Sequence, residues 1–169
     1  MSPTPYKILF LCTGNSARSI LSEFLTRTFF SDKFEAYSAG SHPKLSPNPV
    51  ALQVLQEDFN IDVSEARSKS WEEFNHVAFD FVITLCDDAK ESCPVWPGQP
   101  IVAHWGTKDP SDAPEADKRK EFSRTAHLLR YRLELLASLP IAKLDRLKLE
   151  LETQTISTAQ NPEADRNSQ

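Results

Sequence analysis

Apolar runs and stretches of helical spacing follow one another along the chain. Residues 6–11 form a short apolar run bounded by polar turn formers, the pattern of a buried strand. Over 20–30, Ile20, Phe24 and Leu25 fall on one side of a helix. Residues 35–38 give a second short strand, ended by Ala39 and Gly40. Either Pro47 or Pro49 then opens a helix through Phe59, with Val50, Leu52, Val54 and Leu55 at apolar positions. Residues 79–85 form the clearest later strand and 101–105 a shorter one. In 115–139, Phe122, Ala126, Leu129, Leu133 and Leu136 recur at three- and four-residue spacing, and Pro140 breaks the helix. A charged helix over 143–152 carries Leu144, Leu147 and Leu151 along one side. From 154 to 169 apolar residues almost vanish, which predicts a disordered tail.

Strands alternating with helices predict an α/β fold: a single domain with a mainly parallel four-stranded sheet and helices on both faces. The domain occupies 1–140, followed by the extra helix within 141–153 and the tail over 154–169. Ligands in such sheets bind beyond the carboxyl ends of the strands. Cys12 follows the first strand, Cys86 closes the 79–85 strand, and Asp109 lies just past the 101–105 strand. Topology alone therefore brings all three to one rim.

The residues around Cys12 sharpen this picture. Cys12, Thr13, Gly14, Asn15, Ser16, Ala17, Arg18 and Ser19 run from strand end to helix start. Five residues between Cys12 and Arg18 can wrap backbone N–H groups around one tetrahedral oxyanion. The helix N-terminus adds about half a positive charge, which favours both an anion and an ionised sulfur. Gly14 permits a positive φ, and Asn15 tolerates left-handed backbone and can brace the loop. Arg18 offers a planar fork for two oxygens, and Ser19 can hydrogen-bond the sulfur. Cys12 is thus read as a nucleophile in an oxyanion cradle built by Thr13 to Ser19.

Cys86 and Cys93 lie seven positions apart in a polar loop and can meet if that loop folds or partly unwinds. That spacing makes a relay possible, in which Cys86 resolves an adduct on Cys12 and Cys93 takes over the disulfide. Asp109 is the candidate general acid, with Asp112 as fallback. No Cys-x2-Cys pair occurs, and His42, His76, His104 and His127 lack metal-ligand spacing, so no metal site is expected.

With 169 residues and 40% hydrophobic content, the chain can build a sizeable core, and no run approaches the roughly 18 apolar residues of a membrane span. No leader pattern precedes the first strand, which with three cysteines points to the reducing cytoplasm. A net charge of −5 disfavours nucleic-acid binding.

The 12–19 stretch resembles the anion loop of the low-molecular-weight protein tyrosine phosphatase superfamily, and is more similar to its arsenate reductase branch. Tyr37-Ser-Ala-Gly-Ser, Val82-Ile-Thr-Leu-Cys, Cys93-Pro, His104-Trp-Gly and Asp109-Pro extend the likeness over roughly residues 6–139. The resemblance implies arsenate reduction, with Cys12 as nucleophile, Arg18 as oxyanion clamp, Asp109 as acid, and Cys86 and Cys93 as successive resolving thiols. It implies thioredoxin as reductant and no tightly bound cofactor. Ala17 stands where related loops often carry a second cysteine. Ser111-Asp112-Ala113 replaces the aromatic residues typical of tyrosine phosphatases, which weakens the alternative phosphatase reading. A sensor holding arsenite or a soft metal on three thiolates is a third reading. It leaves Arg18 and Asp109 without a task.

Overall fold

Side chains alternate along the first strand, β1 (Tyr6–Cys12), and so divide two apolar layers. Ile8, Phe10 and Cys12 face one core, while Leu9 and Leu11 face the other. The computed structural model describes residues 4–162. Three further strands, β2 (Phe34–Gly40), β3 (Phe81–Thr84) and β4 (Ile101–His104), join β1 in one parallel sheet ordered β2-β1-β3-β4. The larger core lies under α1 (Arg18–Phe29), α2 (Pro49–Phe59), α4 (Lys118–Ser138) and α5 (Arg146–Thr155). The smaller one is closed by α3 (Asp87–Ser92), the turn Trp71–Phe74 and Trp96. Helices cover both faces, as expected of a doubly covered parallel sheet.

Local chemistry sets the helix ends. Pro49, rather than Pro47, opens α2: it occupies the first turn, and the Asn48 side chain accepts from the Val50 N–H at 2.9 Å. In α4 the five apolar positions expected from the spacing are all fully buried. Register places Leu11 beside Thr84 and Thr84 beside His104, so the ends of β1, β3 and β4 lie level. Leu85 N–H then bonds Leu11 O, Trp105 N–H bonds Thr84 O, and Thr107 N–H bonds Leu85 O. The segments leaving the strands are thereby stitched into one rim.

Three expectations need correction. The polar stretch between Cys86 and Cys93 is not a loop but helix α3. Six residues are too few to show a periodic signal, yet Asp87 and Asp88 sit in its first turn, where the helix dipole favours acids. Helix α5 starts at Arg146, with Asp145 capping the Lys148 N–H, and turns a different face inward from the one expected. Leu149, Thr153 and Ile156 are buried, whereas Leu147 and Leu151 are 78% and 65% exposed. Thr153 escapes the pattern because it is polar, but its hydroxyl donates to Leu149 O at 2.6 Å and needs no water.

The expected tail is likewise ordered at its start. Helix α5 runs to Thr155 and the turn Ile156–Thr158 follows, while residues 163–169 lie outside the described residues. The Gln154 amide accepts from His104 N–H at 2.8 Å and donates to His104 O at 3.0 Å, pairing with edge strand β4 as another strand would. Thr153 O accepts from the buried Trp105 indole at 3.0 Å.

Leu149→Ala should therefore cost about 2–4 kcal/mol in urea unfolding, as for other buried leucines. Leu147→Ala should stay within about 0.5 kcal/mol, as for exposed positions. The original leucine face would require the reverse order.

Candidate active site

The loop from Cys12 to Arg18 is turned inside out by donors from elsewhere in the chain. The carbonyls of residues 12, 13, 14 and 16 accept from the N–H groups of Ser41 (3.4 Å), His42 (2.9 Å), Lys44 (2.9 Å) and Asn48 (2.8 Å). Asn15 O accepts from the Ser68 hydroxyl at 2.7 Å. Because each planar peptide sets N–H opposite C=O, outward carbonyls turn the N–H groups toward the loop's centre. Helix α1 then begins at Arg18, with Ala17 offering no side-chain cap and no acid in the first turn. Its terminal N–H groups remain for an anion.

The backbone reversal falls at Asn15, whose φ is 45°, and not at Gly14. Asparagine is the side chain that best tolerates this conformation. A Cβ on Gly14 would meet only the flexible Lys44 side chain at 3.3 Å. The glycine that the site does need is Gly40, where a Cβ would stand 2.4 Å from Thr13 O. It lets β2 press directly against the loop.

A directed chain of hydrogen bonds ends at Cys12. Lys69 N–H donates to Asn15 Oδ1 at 2.8 Å, which fixes the amide orientation. Asn15 Nδ2 therefore donates to Ser19 Oγ at 2.8 Å and to Ser38 Oγ at 2.9 Å. Ser19 already accepts through its oxygen, so its proton is free for Cys12 Sγ, 2.8 Å away. Ser38 donates in turn to Glu23 Oε1 at 2.5 Å. The buried Lys69 ammonium sits among Arg67 O (2.8 Å), Asn15 Oδ1 (3.3 Å), Ser38 Oγ (3.3 Å) and Glu23 Oε1 (3.4 Å). Burial pulls this ammonium below the usual lysine range, while Glu23 opposes the fall. Sequence reasoning missed Glu23, Ser38, Ser68 and Lys69. One signal was available, a glutamate next to Phe24 on the apolar side of α1.

Arg18 spans from the loop to the segment after β4. Its Nη1 donates to Thr107 O at 2.6 Å and to Leu85 O at 3.4 Å, and its Nη2 lies 3.5 Å from Asp109 Oδ2. Burial raises the Asp109 pKa, but the Ser111 hydroxyl and N–H bonds, with the charges of Arg18 and Lys44, hold it below the ordinary carboxylate value. From α4, the buried Arg132 donates to Thr107 Oγ1 at 3.3 Å, securing the same segment. Asp112 is exposed and does not line the cleft.

A cleft of about 520 Å³ opens over the loop, and its walls include Cys12, Arg18, Cys86 and Asp109. Cys86 Sγ lies 3.3 Å from Thr13 Oγ1, in contact with the loop itself. Cys93 is apart from this group. It caps the far end of α3, packs against the smaller core, and burial pushes its thiol up. Seven helical positions separate the two Cα atoms by about 10 Å, beyond the roughly 7 Å limit for a disulfide. The first residue of α3 is tethered as well: Asp87 Oδ1 lies 3.1 Å from His104 Nε2, whose Nδ1 lies 2.8 Å from Thr84 Oγ1.

A four-stranded parallel sheet presenting a buried thiol within a ring of inward N–H groups, with an arginine at the helix start, defines the class of protein. Residues 7–148 match the low molecular weight phosphotyrosine protein phosphatase family, and the chain belongs to it. It is 40% identical over 110 residues, 63% of this chain and 75% of the relative, to an arsenate reductase of Shouchella clausii. It is 36% identical over 113 residues, 67% and 80% of the two chains, to an arsenate reductase of Bacillus subtilis. A solved arsenate reductase in its phosphate-binding state superposes with a TM-score of 0.67 at 28% identity, covering 79% of this chain and 97% of that one. A thioredoxin-dependent arsenate reductase of Corynebacterium glutamicum gives 0.60 at 26% identity, covering 79% and 62%.

Asn15→Ala is expected to cost about 2–4 kcal/mol, from lost buried hydrogen bonds and a Cβ on left-handed backbone. Asn15→Gly should recover about 1 kcal/mol of that by removing the Cβ. Both variants should slow alkylation of Cys12 by iodoacetamide, because Ser19 loses the donor that orients it. Alkylation at the wild-type rate in both would show that the chain of hydrogen bonds does not reach the sulfur.

Proposed function

We propose that the protein is an arsenate reductase that converts arsenate to arsenite through Cys12, Cys86 and Cys93. One observation carries this reading: Cys86 stands against the Cys12 loop at the start of a short helix whose other end is Cys93. The names of the relatives support it. A phosphatase needs only Cys12, Arg18 and Asp109, and the two further thiols would have no part in it. Among the described residues, the cleft walls include no Phe, Tyr or Trp to stack on a tyrosyl ring.

In the proposed sequence, arsenate oxygens take the inward N–H groups of residues 13–17 and the fork of Arg18. The Cys12 thiolate, supported by the Ser19 hydroxyl, attacks As(V). Hydroxide departs, protonated to water by Asp109. Arg18, Lys44 and the Ser111 hydrogen bonds hold Asp109 ionised. An anion that draws Arg18 onto its own oxygens removes that support and raises the proton affinity of the carboxyl. The Cys86 thiolate then attacks Cys12 Sγ. The S–As bonding pair stays on arsenic, which leaves as As(III), and a Cys12–Cys86 disulfide forms.

Cys93 next attacks Cys86, Cys12 departs as thiolate, and a Cys86–Cys93 disulfide results. Helix α3 must unwind for this step. An external dithiol, thioredoxin in this reading, returns the pair to thiols, so no tightly bound cofactor is required. The reading places the protein in the reducing cytoplasm.

Steady-state NADPH oxidation with arsenate, thioredoxin and thioredoxin reductase tests the proposal. Arsenate-dependent turnover is expected. Its absence, with hydrolysis of an aryl phosphate retained, would restore the phosphatase reading. Cys93→Ser should complete one turnover and trap a Cys12–Cys86 disulfide, visible by peptide mass mapping. Cys86→Ser should form neither disulfide, and full turnover by both variants would eliminate the relay. Arg18→Lys should lose on the order of 10²-fold in rate, comparable to losing an oxyanion-hole donor, since a point ammonium cannot grip two oxygens. A loss of only a few-fold would contradict the bidentate clamp.

A further inference from the structure

Carboxylates flank a cleft whose proposed ligand is itself an anion. Asp87, Asp88 and Asp109 border it, and Arg18 is already committed to Thr107 O, Leu85 O and Asp109. Lys44 is the remaining strong cation on these walls. It sits on the segment between β2 and α2 and is fixed at its backbone, where its N–H donates to Gly14 O at 2.9 Å. Its methylenes run along the loop, close enough that a Cβ on Gly14 would stand 3.3 Å from Lys44 Cγ and Cε. Among the described residues, its ammonium has no carboxylate within 4 Å and no hydrogen-bond acceptor. Its charge nevertheless reaches the site, since it helps keep Asp109 ionised. A cation held at an anion loop without an acid of its own is available to a ligand.

We propose that Lys44 is a second anion-contacting residue, whose ammonium closes on an oxygen of the bound tetrahedral oxyanion left free by the loop N–H groups and Arg18. The inference deepens the proposed function, resting on its reading that the cleft takes a small inorganic dianion. It assigns to Lys44 part of the preference for that ligand. A doubly charged anion gains more from a nearby cation than a singly charged one.

Inorganic phosphate, which cannot be reduced, is the probe. Its affinity is read from protection of Cys12 against iodoacetamide in the full chain. Lys44→Met should weaken phosphate binding about tenfold, the loss expected for one charge-assisted hydrogen bond at a partly open site. Lys44→Arg should stay within about threefold of wild type, because charge and reach are kept. Lys120→Met removes the same charge from the exposed side of α4 and should leave affinity unchanged. The KM for arsenate should rise with the phosphate constant in Lys44→Met. Since the side chain is exposed, circular dichroism should show the fold intact. Wild-type phosphate affinity in Lys44→Met, an equal loss in Lys120→Met, or no protection of the wild type would each overturn the assignment. Phosphate affinity alone decides the role of Lys44, and arsenate turnover by the wild type separately decides the reductase reading.

Discussion

The carbonyl oxygens of residues 12–16 each accept a hydrogen bond from outside their own loop, and the rest of the site depends on this. Four of the donors lie between Ser41 and Asn48, in the segment that joins β2 to α2. That segment reaches the loop only because Gly40 lets β2 come within contact of Thr13 O. A side chain there would push β2 away and release the carbonyls together. The inward N–H groups and the open start of α1 are thus products of sheet packing rather than of the loop sequence alone.

Beneath the loop, polarity is set in the same non-local way. One backbone donor, Lys69 N–H, decides which end of the Asn15 amide faces Ser19, and so leaves the Ser19 hydroxyl proton available to Cys12. The buried Glu23–Lys69 pair fills the remaining valences of Ser38 and Asn15. Buried ion pairs are often neutral for stability once desolvation is counted. Here the pair also fixes the direction of the Ser38 hydrogen bond, since Glu23 can only accept from it.

The fold was legible in the chain wherever its cause was local or periodic. Apolar runs marked β1, β3 and β4, the Ala39-Gly40 end marked β2, three- and four-residue spacing marked the long helix, and the Cys12 to Ser19 stretch announced its strand–loop–helix setting. The remainder depends on contacts between residues far apart in sequence. Glu23, Ser38, Ser68 and Lys69 meet only in the folded sheet, and Gly40 looked like a strand terminator. Gly14 and Asn15 both allowed the backbone reversal by residue type, and only the fold assigns it to Asn15. The inward side of α5 was misread because Thr153, a polar residue satisfied by its own helix, stands in the apolar row.

The chain beyond residue 148 lies outside the family match, yet it acts on the site's framework. Gln154 pairs with both backbone groups of His104, and the imidazole of that residue contacts Asp87 at the start of α3. The same stretch bonds the Trp105 indole, two residues before the carbonyl that Arg18 holds. Edge strand β4 is therefore anchored from outside at the point where the acid-bearing segment and the helix between the two thiols converge. A helix of six residues has little stability of its own. Its order rests on the burial of Ala89 in the smaller core and on its ends, where the Asp87–His104 contact lies beside Cys86. Any closure of Cys86 onto Cys93 must release α3 while β4 stays fixed. The clamp from α5 fastens the backbone of His104, while its side chain reaches Asp87 and α3 packs on the sheet through the buried Ala89.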